Sequence, residues 1–169
     1  MKTILPALAL ASLLCACAAA PEPSASNAVP DNRAALAGLT EMKIAFDITE
    51  GNPKALLAKL GVIDTTRKQL IEDGVTPRMV LAFRGDASYF TQADVEKLKP
   101  EDREDARKIA AKLKELRAAN GVEALEQCNL PLAPRKLKSG DVLPEVKVVG
   151  NGWISLVAYQ RRGYAYIAP

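Results

Sequence analysis

Short apolar runs alternate with amphipathic stretches over residues 42–169, and this alternation constrains the fold more than any other feature of the 169-residue chain. Strands of a sheet that is buried on both faces read as short apolar runs, whereas the helices that cover such a sheet are apolar on one side only. The pattern therefore predicts one α/β domain with a largely parallel sheet covered on both faces. The five predicted strands are residues 42–48, 78–83, 122–127, 146–149 and 164–167.

A strong helix start signal follows the first predicted strand. Asn52 and Pro53 read as an N-cap and a proline at the first helical position. The apolar stripe that follows has approximate helical spacing and ends at Gly74. Gly61 is unfavourable in the middle of a helix, so the pattern leaves open whether this is one helix or two.

Three more helices are predicted later in the chain. The most regular pattern begins at Pro100 and ends at Gly121, with acidic residues in its first turns and basic residues near its end, as the helix dipole favours. These acidic residues are interpreted as solvated capping residues rather than catalytic carboxylates. Residues 91–94 (TQAD) resemble a capping box that opens a short helix to about Leu98. A last helix is predicted within residues 152–163.

The N-terminus has the features of an export signal. Lys2 supplies a positive charge, and residues 4–14 form an apolar stretch that is too short to span a bilayer. Residues 14–17 (LCAC) resemble a bacterial lipobox. The sequence therefore predicts a signal peptide over residues 1–16, followed by lipidation of the Cys17 sulfur.

The segment after the lipobox reads as a spacer. Residues 17–41 include an Ala/Pro/Ser/Asn-rich stretch that buries too little apolar surface to order itself, so a flexible tether is predicted between Cys17 and a folded domain over residues 42–169. Ala18, rather than Asp, follows Cys17, as in lipoproteins directed to the outer membrane of Gram-negative bacteria. We therefore expect a lipid anchor on the periplasmic side of the envelope. Ordinary signal cleavage after Ala18 or Ala20 is the alternative and predicts a soluble periplasmic protein.

Cys128 is predicted to be the only free thiol of the processed chain. The sequence contains three cysteines; Cys15 would leave with the signal, and Cys17 would carry lipid. A cysteine without an intramolecular disulfide partner in an oxidising compartment is open to sulfur chemistry.

The composition excludes several classes of function. The chain contains no histidine, which removes Ser-His-Asp and Cys-His catalysis and histidine-based zinc sites. It has neither a dinucleotide-binding fingerprint nor a P-loop. Loss of Lys2 with the signal lowers the formal net charge of +3 by one, which leaves no large basic field. We expect no metal, no organic cofactor and no nucleic-acid partner.

A candidate site follows from the position of four residues relative to the strands. Arg84 follows the second predicted strand, Cys128 follows the third, and Asn151 and Gly152 open the helix after the fourth. The carboxyl ends of parallel strands meet at one edge of a sheet, where ligands gather. A guanidinium and helix N-terminal amides both favour a thiolate, the form that attacks sulfur. Cys128, Arg84 and Asn151 are therefore the candidate site residues.

Purely structural roles for the same residues stay open. Cys128 is equally interpretable as a small buried side chain that fills space at a strand end. Arg84 is interpretable as a surface residue paired with Asp86. The aromatic residues near the C-terminus are interpreted as core and subunit-interface residues, namely Trp153, Tyr159, Tyr164 and Tyr166.

An ordered set of short motifs resembles the DsrE/DsrF-like family. The first two strands and the residue pair after the second read KIAFD (43–47) and MVLAFRG (79–85). The third strand reads GVEALEQCN (121–129), which is similar to the strand that ends in the family's signature cysteine. The tail combines LPEVKVV (143–149) with YQ and GYAYI further on, and the resemblance covers nearly all of residues 42–169.

The resemblance implies a three-layer α/β/α sandwich with a five-stranded parallel sheet, assembled into small oligomers. Some members relay sulfur as a persulfide on the cysteine that Cys128 matches, with donor and acceptor proteins as partners. The leading hypothesis is thus a periplasm-facing protein that binds or relays sulfane sulfur on Cys128, stabilised by Arg84 and Asn151. The alternative is a non-catalytic oligomeric binding or scaffold module with an inert Cys128.

Overall fold

Five parallel strands form one sheet in a computed structural model that describes residues 29–169. The strand order is β4-β3-β2-β1-β5, and every neighbouring pair is parallel. The five-stranded, largely parallel α/β architecture predicted from the sequence is confirmed. The strands are β1 (Glu41–Ile48), β2 (Thr76–Phe83), β3 (Val122–Cys128), β4 (Lys147–Val149) and β5 (Ala165–Ile167).

The described part of the chain contains three helices of ten residues or more and one short helix. They are α1 (Arg33–Leu36), α2 (Pro53–Glu72), α3 (Arg103–Ala118) and α4 (Gly152–Arg161). α2 begins as predicted, because the Asn52 side chain accepts hydrogen bonds from the backbone N–H groups of Lys54 and Ala55 at 3.0 and 3.1 Å. It is a single helix that continues through Gly61.

The helices cover the two faces of the sheet unequally. Alternate residues of β1 and β2 point to opposite faces, as the pleat of a strand requires. One set packs with buried residues of α2 and α3, such as Leu60 and Leu113, in the main core. The other set forms a smaller cluster with Leu156 of α4 and with Tyr164. The sheet therefore lies between two helical layers, with α4 on the thinner side.

The segment between β2 and α3 differs from its prediction. Residues 91–94 do not cap an α-helix; three short 3₁₀ turns occupy Gly85–Phe90, Val95–Lys97 and Pro100–Asp102, and α3 begins only at Arg103. Thr91 is buried and hydrogen-bonds the side chain of Gln127 at 2.7 Å. A buried tertiary partner has thus replaced the local capping bond that the motif suggested.

The folded unit begins before Met42. α1 and the start of β1 fall within the predicted tether, and Leu36 packs against the main core. The predicted signal peptide, Cys17 and the tether up to residue 28 lie outside the described residues. Within residues 29–169, no helix is both long enough and apolar enough to cross a membrane.

Candidate functional site

The carboxyl ends of the central strands form a cavity beside Cys128. Backbone hydrogen bonds continue past the strand ends, from Arg84 N to Ile48 O and from Asn129 N to Val149 O, at 2.9 and 2.8 Å. These bonds hold the loops that leave β2 and β3 in register with their neighbours. The three sequence-predicted site residues meet here. The cavity has a volume of about 290 Å³ and is lined by Arg84, Gly85, Cys128, Leu130, Pro131, Asn151 and Trp153.

Cys128 is a free cysteine whose sulfur contacts the start of α4. Its residue surface is only 4% exposed, yet it lines the cavity. The backbone N–H of Gly152, the first residue of α4, donates a hydrogen bond to Cys128 Sγ at 3.2 Å. A helix N-terminus carries partial positive charge, so the sulfur lies against the positive end of α4.

Gly152 allows this contact because it has no side chain. A Cβ at this position would lie 3.0 Å from Cys128 Cβ and 2.9 Å from Arg84 Cδ, closer than ordinary van der Waals contacts. The aliphatic part of Arg84 and the Cys128 side chain therefore pack on the Gly152 backbone.

Arg84 forms a two-pronged ion pair with Asp47 of β1. Its Nε donates to Asp47 Oδ1 at 2.7 Å and its Nη2 donates to Oδ2 at 2.5 Å. The bond to Asp47 raises the pKa of the Arg84 guanidinium, against the opposing effect of burial. The predicted alternative pairing with Asp86 is wrong, because Asp86 pairs with Arg135 instead, at 2.5 Å.

Tyr166 of β5 completes the environment of Asp47. Its hydroxyl donates to Asp47 Oδ2 at 2.7 Å, and this hydrogen bond raises the pKa of Tyr166. Both partners of Asp47 come from the flanks of its own strand, because β1 pairs with β2 on one side and with β5 on the other. The sequence signal for Asp47 as the partner of Arg84 was an acidic residue near the end of the apolar run MKIAFDI (42–48), but only the strand order identifies its partners.

Trp153 forms one wall of the cavity. The Arg84 Cζ lies 5.4 Å from the centroid of its ring, a cation–π distance. Trp153 is 65% exposed, so it is not a core residue of this chain, and its predicted place at a subunit interface stays a prediction. The core prediction holds for Tyr164, which is buried and packs edge-to-face with Tyr159 at 5.0 Å between ring centroids.

Asn151 lines the cavity and caps α4. Its Oδ1 accepts a hydrogen bond from the Trp153 N–H at 3.0 Å. This bond uses the carbonyl end of the side chain and leaves the Nδ2 amide outside the cap. Asn151 therefore combines a structural role with a position beside Cys128.

Two buried polar residues of β3, Glu126 and Gln127, form hydrogen bonds to the elements next to the site and were missed by the sequence analysis. The Gln127 amide donates to Ser88 Oγ at 2.6 Å, which fixes the loop after β2. On the opposite face, the buried Glu126 accepts hydrogen bonds from Ser155 and, at 2.9 Å, from Tyr159. Burial and this bond raise the pKa of Tyr159 to about 12, so the phenol stays a donor at neutral pH.

Metal ligation does not account for these groups. Within residues 29–169, no cluster of three or more His, Cys, Asp or Glu side chains has the arrangement of a metal site. The cavity is lined instead by the Arg84 guanidinium next to the Cys128 thiol, and the carboxylate partner of Arg84, Asp47, is not among the lining residues.

The fold and this site define a parallel α/β protein with a cysteine at the carboxyl edge of its sheet. The family model described as the DsrE/DsrF-like family matches residues 42–169, and the chain belongs to that family. An uncharacterized protein of Aquifex aeolicus (strain VF5) is 29% identical to it over 126 residues. That alignment covers 75% of this chain and 55% of the relative, so the chain spans about half of the relative's length.

A solved structure supports the same fold. A protein of unknown function from Methanobacterium thermoautotrophicum superposes with a TM-score of 0.54 at 21% sequence identity. The match covers 76% of this chain and 99% of that protein. At this level of identity the similarity concerns the fold alone.

Proposed function

We propose that the protein carries sulfane sulfur as a persulfide on Cys128. The observation that carries the proposal is the contact of the Cys128 sulfur with the Gly152 N–H, at the wall of a cavity and in a member of the DsrE/DsrF-like family. The contact places a donor and the positive end of α4 against the atom that would carry negative charge.

Loading is a nucleophilic exchange without net oxidation. The Cys128 thiolate attacks the outer sulfur of a persulfide R–S–SH, the S–S bond of the donor breaks, the thiolate R–S⁻ leaves, and Cys128 becomes Cys–S–SH. In the relay step an acceptor thiolate attacks that outer sulfur, forms its own persulfide and releases the Cys128 thiolate. Each step breaks one S–S bond and forms another, so no redox cofactor is needed.

Arg84 and Asn151 act as stabilisers in this proposal. A persulfide is more extended than a thiol, and its outer sulfur would extend from Cys128 into the cavity, where both residues lie. The Arg84 Nη1 group takes no part in its fork with Asp47 and is available to a sulfur anion. The Asn151 amide offers a second donor.

The cellular setting is also part of the proposal. The lipobox-like residues support an exported protein anchored through Cys17 on the periplasmic side of the outer membrane, with a soluble periplasmic form as the alternative. Homo-oligomers and separate donor and acceptor proteins are the proposed partners. Exposed apolar residues beside the cavity, Trp153 and Ile154, are consistent with a protein contact there.

Peptide mass spectrometry tests the carrier function directly. The full chain is treated with polysulfide, alkylated without reductant and digested with trypsin, which releases residues 118–135 with Cys128 as their single cysteine. We expect a gain of one or more sulfur atoms on this peptide, reversed by reductant and absent in Cys128→Ser. An unmodified peptide from folded protein would reject the carrier and favour a binding or scaffold module.

A further inference from the structure

The charge of the cavity depends on Asp47, which does not itself line it. The carboxylate of Asp47 meets three donors, the Nε and Nη2 of Arg84 and the hydroxyl of Tyr166. Two of these donors belong to one guanidinium, so Asp47 and Arg84 form an ion pair of the two-pronged type. Arg84 and Asp47 therefore form a unit of zero net charge beside Cys128.

The remaining donors at the cavity suit one negatively charged atom rather than a polyoxyanion. Asp47 occupies the Nε/Nη2 edge of Arg84, one of the two edges with which a guanidinium grips an oxyanion, and shares Nη2 with the other; the Trp153 ring covers a face of the guanidinium. At the start of α4, the Gly152 N–H is directed at Cys128 Sγ and the Trp153 N–H at Asn151. Two amides that commonly bind phosphate or sulfate at a helix N-terminus are thus already used.

The rest of the lining is apolar. Leu130, Pro131 and the Trp153 ring form walls of the cavity. Such walls favour a donor with an organic body over a compact, strongly hydrated dianion, because the dianion would lose hydration without matching partners.

We propose that Asp47 is a specificity-determining residue of the Cys128 site. By compensating the charge of Arg84, it favours neutral or singly charged sulfane-sulfur donors of the organic hydropersulfide class over dianionic thiosulfate. The proposal rests on the carrier function above. Thiosulfate would load Cys128 by the same exchange, with attack on its outer sulfur and departure of sulfite, so the discrimination is electrostatic and not chemical.

Two alkylating agents of different charge measure the electrostatic part without any sulfur transfer. The rate constants for Cys128 with anionic iodoacetate and neutral iodoacetamide are compared in the full chain at constant ionic strength, on the peptide of residues 118–135. The ratio of the two rate constants cancels effects on thiol accessibility, because both reagents must reach the same sulfur. We expect Asp47→Asn to raise the iodoacetate-to-iodoacetamide ratio about tenfold, since Arg84 is then uncompensated.

Two further variants make the alkylation result interpretable. Arg84→Gln leaves the charge of Asp47 uncompensated and is expected to lower the iodoacetate-to-iodoacetamide ratio. It therefore tests the same proposal by a change in the opposite direction if Asp47→Asn does not fold. Asp86→Asn removes a carboxylate that pairs with Arg135 and is the charge-matched control, expected to leave the ratio unchanged. An unchanged ratio in a folded Asp47→Asn or Arg84→Gln protein would overturn the proposal.

Sulfur loading then tests the specificity. In the wild type we expect the hydropersulfide of 2-mercaptoethanol to load Cys128 at least about tenfold faster than thiosulfate, and Asp47→Asn to reduce this preference by about tenfold. Equal preference in both proteins overturns the role of Asp47. Failure of the hydropersulfide to load the wild type would instead reject the carrier function, even if the alkylation ratios shift as expected.

Discussion

The backbone N–H of Gly152 points at the sulfur of Cys128 across 3.2 Å, and this contact joins the end of β3 to the start of α4. The two residues are 24 positions apart in the chain. Because Gly152 also packs against the stem of Arg84, a single backbone position connects the thiol, the guanidinium and the helix dipole.

Gly152→Ala is expected to disturb both stability and reactivity. The added Cβ would meet Arg84 Cδ at 2.9 Å and Cys128 Cβ at 3.0 Å, so side chains or α4 must shift. We expect a loss of about 1–3 kcal/mol in the free energy of unfolding and slower persulfide loading of Cys128. Denaturant unfolding and peptide mass spectrometry measure these effects. Gly140→Ala, where the new Cβ meets open space, is the matched control and should change neither quantity appreciably.

Arg84→Lys tests the two-pronged ion pair rather than the charge. Lysine keeps the positive charge but replaces the planar fork with a single ammonium group, so it cannot reproduce both bonds to Asp47. We expect persulfide loading of Cys128 to slow several-fold while the fold persists by circular dichroism. Arg135→Lys, in the neighbouring pair with Asp86, serves as control. Loading at the wild-type rate in Arg84→Lys would show that the fork is dispensable.

Gln127→Leu is expected to destabilise the loop beside the site. Gln127 is fully buried, donates to Ser88 Oγ and accepts from Thr91 Oγ1 at 2.6 and 2.7 Å. Leucine fills similar space but removes the partner of Ser88 Oγ, at a cost of about 1–3 kcal/mol for an unsatisfied buried group, whereas the Thr91 hydroxyl keeps its bond to the Ser88 carbonyl. Hydrogen exchange should report faster opening of residues 85–91. The exposed Gln160→Leu on α4 should change stability little, and equal effects of both variants would contradict this account.

The loss of stability at acid pH should depend on Asp64 of α2, whose buried carboxylate pairs with Lys112 of α3 at 2.8 Å. Burial alone would raise the pKa of Asp64, but its ion pairs with Lys112, Lys68 and Arg67 outweigh burial and lower the pKa well below its usual range. A lowered folded-state pKa contributes stability that is present above the unfolded pKa of about 4 and is lost as the pH falls further.

Asp64→Asn should therefore lower stability by about 3 kcal/mol at pH 7 and flatten the loss of stability below about pH 4. Urea unfolding between pH 2 and 7 measures both effects. Glu104→Gln removes an exposed partner of Lys108 and is expected to change stability little at any pH, because water screens exposed ion pairs. An Asp64→Asn curve parallel to that of the wild type would refute the linkage.

Much of the framework follows from the sequence for local reasons. Periodicity and caps depend on residues within a few positions of each other, so β1, β3 and the start of α2 were predicted within two residues of their observed positions, while the continuity of α2 through Gly61 was left open. The same logic failed at Thr91. Its motif predicts a bond to the backbone of the following turn, but the Thr91 hydroxyl bonds the buried side chain of Gln127, 36 positions later. Helical spacing also does not tell which side of α4 is covered, so the sequence left open whether Trp153 lies in the core or at a subunit interface, and the structure excludes the core.

The sequence by itself determined that the domain is a parallel α/β sandwich and that Cys128 stands at the end of its third strand, because strand direction and chain order place strand ends at one edge. Only the tertiary structure decided that Arg84 pairs with Asp47, 37 positions away, and that Tyr166 reaches the same carboxylate across 119 positions. The physical reason is the lateral order of the strands. β1 lies between β2 and β5, and local periodicity carries no information on which strands become neighbours.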